Sequence, residues 1–163
     1  MIICLKGWEK VENWQTYFHE TSFNTMDAKG RIAIPARFRE AVRRCTGQLI
    51  VTAMDQALNA YPPEVWANIE ARVEALNATT AEMRRFRRQF IGRAVVCKTD
   101  KQSRILISPS LRDYAGLQKE IAIVGQLSHF QIWSRDRYEV DSELAEQDVL
   151  TPELSAQISE LRL

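Results

Sequence analysis

Apolar and polar positions alternate with period two in two separate sets along the chain. The first set covers residues 21–25, 32–34, 48–52 and 58–61. The second covers 105–107, 120–124 and 130–133. Strict alternation of this kind predicts half-buried strands. After Pro35 and again around Pro109 comes a short amphipathic stretch, each expected to be a helix with proline at its first position, where a missing N–H costs nothing. Ser108 is a candidate cap for the second of these, and Gly47 and Gly116 are candidate stops. Between the two sets, residues 62–92 change to helical periodicity. Val65, Trp66, Ile69, Val73 and Leu76 share one face, Asn77-Ala78-Thr79 breaks it, and Thr79 with Glu82 forms a capping-box pattern opening a second helix. Met83, Phe86 and Phe90 make that helix's apolar stripe, most simply read as packing, while Arg84, Arg85, Arg87 and Arg88 cover its remainder, most simply as a solvated or ion-paired face and alternatively as a nucleic-acid contact.

The two sets are copies of one unit. Asp27-Ala28-Lys29-Gly30-Arg31-Ile32-Ala33-Ile34 and Asp100-Lys101-Gln102-Ser103-Arg104-Ile105-Leu106-Ile107 share the string Asp-x-x-x-Arg-Ile-x-Ile, and Trp66 and Tyr138 fall at matching places beyond. Each half reads strand, turn loop, strand, short helix, strand, strand. One such unit is too small to bury a good core alone, so two packed or interleaved halves sharing one core are expected. The predicted class is therefore α+β, mainly β with short helices, in one intertwined β-core with a helical hairpin between the halves. The divisions are an N-terminal extension at 1–16, a first repeat at 21–68, a helical connector at 69–93, a second repeat at 94–137 and an acidic C-terminal tail at 138–163.

Charge sharpens this picture. The net charge is only +1, but residues 29–44 hold six basic side chains and one acid, and residues 84–104 hold eight and one. From residue 136 onward there are eight acids and two arginines. Such asymmetry points to a polyanion-binding face. In the first loop, Asp27 and Gly30 favour a tight turn, from which Lys29 and Arg31 project. Either can meet phosphate, and arginine can also read guanine bidentately. Asp27 and Asp100 are the residues expected to brace their loops, either by presetting the direction of Arg31 and Arg104 or by locking the turn as ion pairs. Lys101 is the second loop's lysine, one position earlier in the motif than Lys29.

Other chemistry finds little footing. His19 and His129 have no Cys, Ser or carboxylate at a familiar catalytic spacing, and neither a glycine-rich phosphate cradle nor a metal-ligand cluster is present. No catalytic residue, metal or cofactor is assigned. Cys4, Cys45 and Cys97 are odd in number and widely spaced, which suggests neither a disulfide framework nor a zinc site and suits a reducing cytoplasm. No apolar run is long enough for a membrane span, and the opening Met1-Ile2-Ile3-Cys4-Leu5 is too short for a secretory signal.

The duplicated motif, with Ile34-Pro35-Ala36-Arg37-Phe38-Arg39 after the first copy, and Val124-Gly125-Gln126 with Phe130-Gln131-Ile132-Trp133 in the second half, resembles the MraZ family of bacterial transcriptional regulators, built from two tandem AbrB-like repeats. The resemblance runs from about Phe18 to Tyr138 and less clearly to Leu163. It implies an AbrB-like double-psi or swapped-hairpin β-core, protomers assembled into a homo-oligomeric ring, and motif loops facing double-stranded DNA. The implied target is a set of direct repeats in the promoter of the division and cell-wall gene cluster, usually repressed, in the cytoplasm on the nucleoid. By position, Lys29, Gly30 and Arg31 inherit the DNA-contact role from the first motif, and Lys101 and Arg104 from the second. The second loop departs from the pattern, with Ser103 where the family has glycine, so its turn geometry is expected to differ. A second reading is a ring-forming assembly protein whose basic loops bind acidic protein partners, such as its own tail. An enzyme using the Asp/Arg loops is a third.

Members of the family begin about where Tyr17-Phe18 falls here. Removing residues 1–16 is therefore expected to leave folding and DNA binding nearly intact, because the repeat pattern starts after them and unanchored termini are commonly dispensable. Loss of soluble protein or of promoter binding in the truncated chain would show the segment to be integral.

Overall fold

The computed structural model describes residues 18–148 and 151–161; the segment 1–16, with Cys4, Trp8 and Trp14, lies outside them. Among the described residues eight strands and six helices follow in the order β1 (Thr21–Thr25), β2 (Arg31–Ala33), α1 (Ala36–Arg44), β3 (Gln48–Met54), β4 (Ala57–Tyr61), α2 (Pro63–Ala75), α3 (Ala81–Ile91), β5 (Val95–Lys98), β6 (Arg104–Leu106), α4 (Pro109–Ala115), β7 (Glu120–Gly125), β8 (Phe130–Ser134), α5 (Arg135–Asp148) and α6 (Pro152–Glu160). The α+β class and the helical pair between the repeats are those read from the periodicity.

The two repeats exchange strands. The six-stranded antiparallel sheet runs β1-β7-β8-β4-β3-β5, and β2 and β6 form a separate two-stranded ribbon. The first strand of each repeat thus pairs with the third strand of the other, β1 with β7 and β5 with β3. The two hairpins, β3-β4 and β7-β8, meet at β4·β8, where Leu58 faces Ile132 and Ala60 faces Phe130. Neither repeat closes a sheet without the other, which is why the two halves make one core.

Alternation along the strands divides that core between two faces. On one, Leu49, Val51, Leu58, Ile121, Ile123 and Ile132 pack against Ile32, Ile34, Ile105 and Ile107 of the ribbon region and against Phe38 and Leu111 of α1 and α4. Phe18, Phe38 and Phe130 meet there with ring centroids 5.1–5.5 Å apart. On the other, Ile50 and Tyr61 pack with Trp66 of α2 and Phe90 of α3, and Ala57, Ala122 and Trp133 pack with Tyr138 of α5. The ribbon and the connector helices therefore cover opposite faces of the sheet, and the arginines of α3 lie away from the motif loops.

Local differences from the sequence reading have simple causes. The capping hydroxyl of α3 belongs to Thr80, which accepts the Met83 N–H at 3.2 Å, one residue later than the Thr79–Glu82 pattern; two adjacent threonines compete for the cap, and a pattern does not rank them. Pro35 is the N-cap of α1 and not its first residue, whereas Pro109 opens α4 as expected. Ser108 stands at the N-cap of α4 without a capping bond, its Oγ 3.3 Å from Ser110 Oγ. Leu76 and Phe86, expected on apolar faces, are exposed, although Phe86 stacks on Phe90. The acidic C-terminal segment carries α5 and α6.

Candidate nucleic-acid interface

The ribbon puts the two copies of the motif side by side. In its register Arg31 faces Leu106, Ile32 faces Ile105 and Ala33 faces Arg104. Directly opposed residues of an antiparallel pair point to one side, as do residues two apart on a strand. Ile32 and Ile105 point inward and are fully buried. Arg31, Ala33, Arg104 and Leu106 consequently share the outer face, and Leu106 is 57 % exposed on it. The two arginines lie diagonally across the ribbon, offset along it by about 7 Å at the usual rise of a strand.

Each loop is built by one carboxylate. Asp27 Oδ1 accepts the N–H groups of Lys29 at 3.0 Å and Arg31 at 2.9 Å, and Oδ2 accepts Arg31 Nε–H at 2.6 Å. The main chain closes the same turn, with Gly30 N–H donating to Asp27 O and Asp27 N–H to Arg31 O, both at 3.0 Å. The second loop repeats every one of these bonds. Asp100 Oδ1 accepts from Gln102 and Arg104, both at 2.9 Å, and Oδ2 from Arg104 Nε at 2.8 Å. The expected departure at Ser103 is not found: Gly30 has φ +86°, and Ser103 adopts the same left-handed region at φ +57°. The web of bonds from Asp100 holds the turn where glycine's freedom would otherwise be needed. The loops also cross-brace each other, Ile107 N–H donating to Gly30 O at 2.9 Å and Ile34 N–H to Ser103 O at 2.8 Å.

Each aspartate thus locks its turn and sets its arginine by the same contacts. The Nε edge of each guanidinium is held, and the terminal nitrogens take no partner among the described residues. Lys29 and Lys101 carry no ion pair among them either. The outcome is a cationic, sterically fixed face on which the main-chain N–H groups of Lys29, Gly30, Arg31, Gln102, Ser103 and Arg104 are already used and the side-chain donors are available.

The main-chain N–H of Arg31, followed by its guanidinium, holds the Asp27 carboxyl below the usual carboxylate range, and Arg104 does the same for Asp100. A folded-state pKa below the unfolded one gives stability that is complete above about 3.8 and is lost as the pH falls through the folded value. The loop geometry is therefore expected to hold unchanged from pH 8 to pH 5. The amide resonances of Lys29 and Arg31 should move together only below about pH 3.8. A loop transition near neutrality would contradict this bracing.

Other candidate chemistry stays apart. His129 lies in the β7-β8 hairpin loop, its ring stacked on Tyr61 with centroids 4.6 Å apart and its pKa lowered by burial. Cys97 is buried, its thiol pushed up to about 11 by desolvation. Among the described residues no group of three or more His, Cys, Asp or Glu side chains is placed to hold a metal ion, and no helix is long and apolar enough to cross a membrane.

Comparison with known proteins also finds two tandem units. The family model "MraZ protein, putative antitoxin-like" matches the chain twice in tandem, at residues 17–89 and 90–155. The chain belongs to the MraZ family. Relatives named transcriptional regulator MraZ include one from Desulforapulum autotrophicum, 46 % identical over 147 residues, covering 90 % of this chain and 99 % of that protein. Another, from Desulfosudis oleivorans, is 44 % identical over 146 residues with the same coverage. One from Pseudomonas aeruginosa strain LESB58 is 47 % identical over 122 residues, covering 73 % of this chain and 81 % of its own.

Sequence reasoning found both MraZ loops and missed two residues beside them. Leu106 occupies the x of Ile-x-Ile, a position that alternation assigns to solvent, and a leucine there was the available signal. Arg112 follows Arg104 by eight residues as Arg39 follows Arg31, a correspondence outside the motif as first drawn.

Proposed function

We propose that this chain is a DNA-binding transcriptional regulator that meets double-stranded DNA with the outer face of the β2-β6 ribbon. The observation that carries the reading is the convergence of Arg31 and Arg104, each fixed at Nε by its own aspartate, on one exposed face. A two-stranded ribbon fits the major groove. There Arg31 and Arg104 reach base edges, Lys29 and Lys101 flank them at phosphates, and Gly30 lets the loop approach. Ala33 and Leu106 supply an apolar surface suited to thymine methyl groups. The target is a set of direct repeats in the promoter of the division and cell-wall gene cluster, bound in the cytoplasm on the nucleoid and usually to repress it.

Direct repeats suit a head-to-tail assembly. The sheet has two open edges, β1 and β5, and β5 exposes Val95 and Val96. Joining unlike edges of successive copies makes a heterologous contact that closes as a ring, and such a ring displays its ribbons in one sense. A homo-oligomer is therefore expected by sedimentation at micromolar concentration, and a monomeric mass would contradict it.

The function itself is tested by anisotropy of labelled promoter DNA at two salt concentrations with random-sequence competitor. Specific binding that survives competitor and weakens steeply with salt supports the proposal. Salt-independent capture of acidic proteins with no preference for the promoter would favour the assembly reading instead.

A further inference from the structure

Loop 1 borrows a cation from the other repeat. Arg112 belongs to α4, yet its guanidinium rests on Gly30: a Cβ added there would meet Cζ at 2.8 Å, Nε at 2.9 Å and Nη1 at 3.0 Å. The ribbon delivers it, because Ile107 donates to Gly30 O and α4 begins two residues later. Gly30 thus leaves the space that this guanidinium occupies, and a side chain there would displace it.

The bonding of Arg112 is incomplete. Its Nε is buried and has no acceptor, and among the described residues no carboxylate pairs with the side chain. The corresponding Arg39 of the first repeat is satisfied internally, donating Nε–H to Ile34 O at 3.0 Å. A buried donor left without an acceptor is destabilising, the more so when charged. The guanidinium therefore lacks an internal acceptor, and one arriving from outside meets its terminal nitrogens, since Nε itself is closed to solvent. At this loop the main-chain N–H groups of Lys29, Gly30 and Arg31 are all consumed by Asp27, so an anion there is met by side chains alone. Lys29, the free end of Arg31 and Arg112 are the cations around Gly30. Arg112 sits on α4, beside the ribbon and off its outer face, a placement that suits the sugar-phosphate backbone better than a base edge.

We infer that Arg112 binds a DNA phosphate at loop 1, so that this half of the interface is complete only when the second repeat is interleaved with the first. The inference rests on the ribbon being the DNA-binding face.

The test measures binding of the full chain to its own promoter and to random DNA of equal length across a salt series, for the unaltered protein, Arg112→Gln and Arg31→Ala. Arg112→Gln is expected to weaken binding to both DNAs at least about tenfold. It should also make the log–log salt slope shallower by about one for each protomer engaged, with discrimination between the DNAs unchanged. An unaltered slope, or lost discrimination at an unaltered slope, overturns the phosphate role and leaves Arg112 a prop for the loop. If Arg31→Ala leaves discrimination intact, the reading of the ribbon fails separately. Should Arg112→Gln not melt cooperatively, the unaltered protein decides. Its Arg112 Nε–H resonance, assigned through Arg112→Lys, should shift with random DNA and return at high salt, and a resonance insensitive to DNA overturns the inference.

Discussion

Arg31→Ala is expected to remove measurable promoter binding while the protein stays folded and oligomeric. The guanidinium is fixed through Nε by Asp27 and offers its far edge from the ribbon's outer face, so little ordering entropy is lost when it meets a base. One bidentate base contact is worth about 1–3 kcal/mol, and in the proposed ring, engagement of several repeats at once would multiply the loss through avidity. Arg104→Ala should act in the same direction but less, because no cation equivalent to the unsatisfied Arg112 is available at its loop: Arg39 is already bonded to Ile34 O. Asp27→Ala separates presentation from contact. It should loosen the loop and weaken binding, yet leave part of the affinity because Arg31 remains. Equal falls in melting temperature for Asp27→Ala and Arg31→Ala, with binding proportional to folded protein, would mean that Arg31 only braces the turn.

Phe130→Ala is expected to produce the largest loss of stability. Phe130 is fully buried on β8, at the junction of the hairpins, and touches Phe18 ahead of β1 and Phe38 of α1. The truncation removes the ring that joins one repeat's strand to the other repeat's helix and leaves a cavity. Such changes cost about 3–5 kcal/mol, a large part of a typical domain's 5–15 kcal/mol. Urea unfolding at fixed protomer concentration would measure it, with exposed Leu144→Ala on α5 as a control expected within about 0.5 kcal/mol. A Phe130→Ala loss near that of the control would show that the repeats are not held through this aromatic cluster.

Much of this was legible in the chain because it is local. The duplicated Asp-x-x-x-Arg, the alternation around it and the helical spacing of residues 62–92 each reflect contacts within a few residues, and the structure has the loops, strands and helices there. What was not legible is tertiary. Nothing in the pattern of β1 says that it pairs with β7 of the other repeat, since alternation fixes a strand's faces and not its neighbour. The pairing of the two motif strands with each other, which puts Arg31 and Arg104 on one face, is of the same kind. Residue type alone does not indicate a left-handed Ser103, because the turn around it is held by three hydrogen bonds that the Asp100 carboxylate accepts from Gln102 and Arg104. Arg112 was passed over because its importance lies in a contact with Gly30, eighty-odd positions away and visible only after the strands have exchanged.

Photo-crosslinking distinguishes which face of the sheet meets DNA. A photoreactive amino acid is placed at Leu106, on the ribbon's outer face, or at Arg87 of α3, across the sheet from it. The protein is then irradiated with promoter DNA. Crosslinks to DNA from position 106 and none from position 87 are the expected result. Crosslinks from position 87 with none from position 106 would place the DNA on the opposite face and contradict the account.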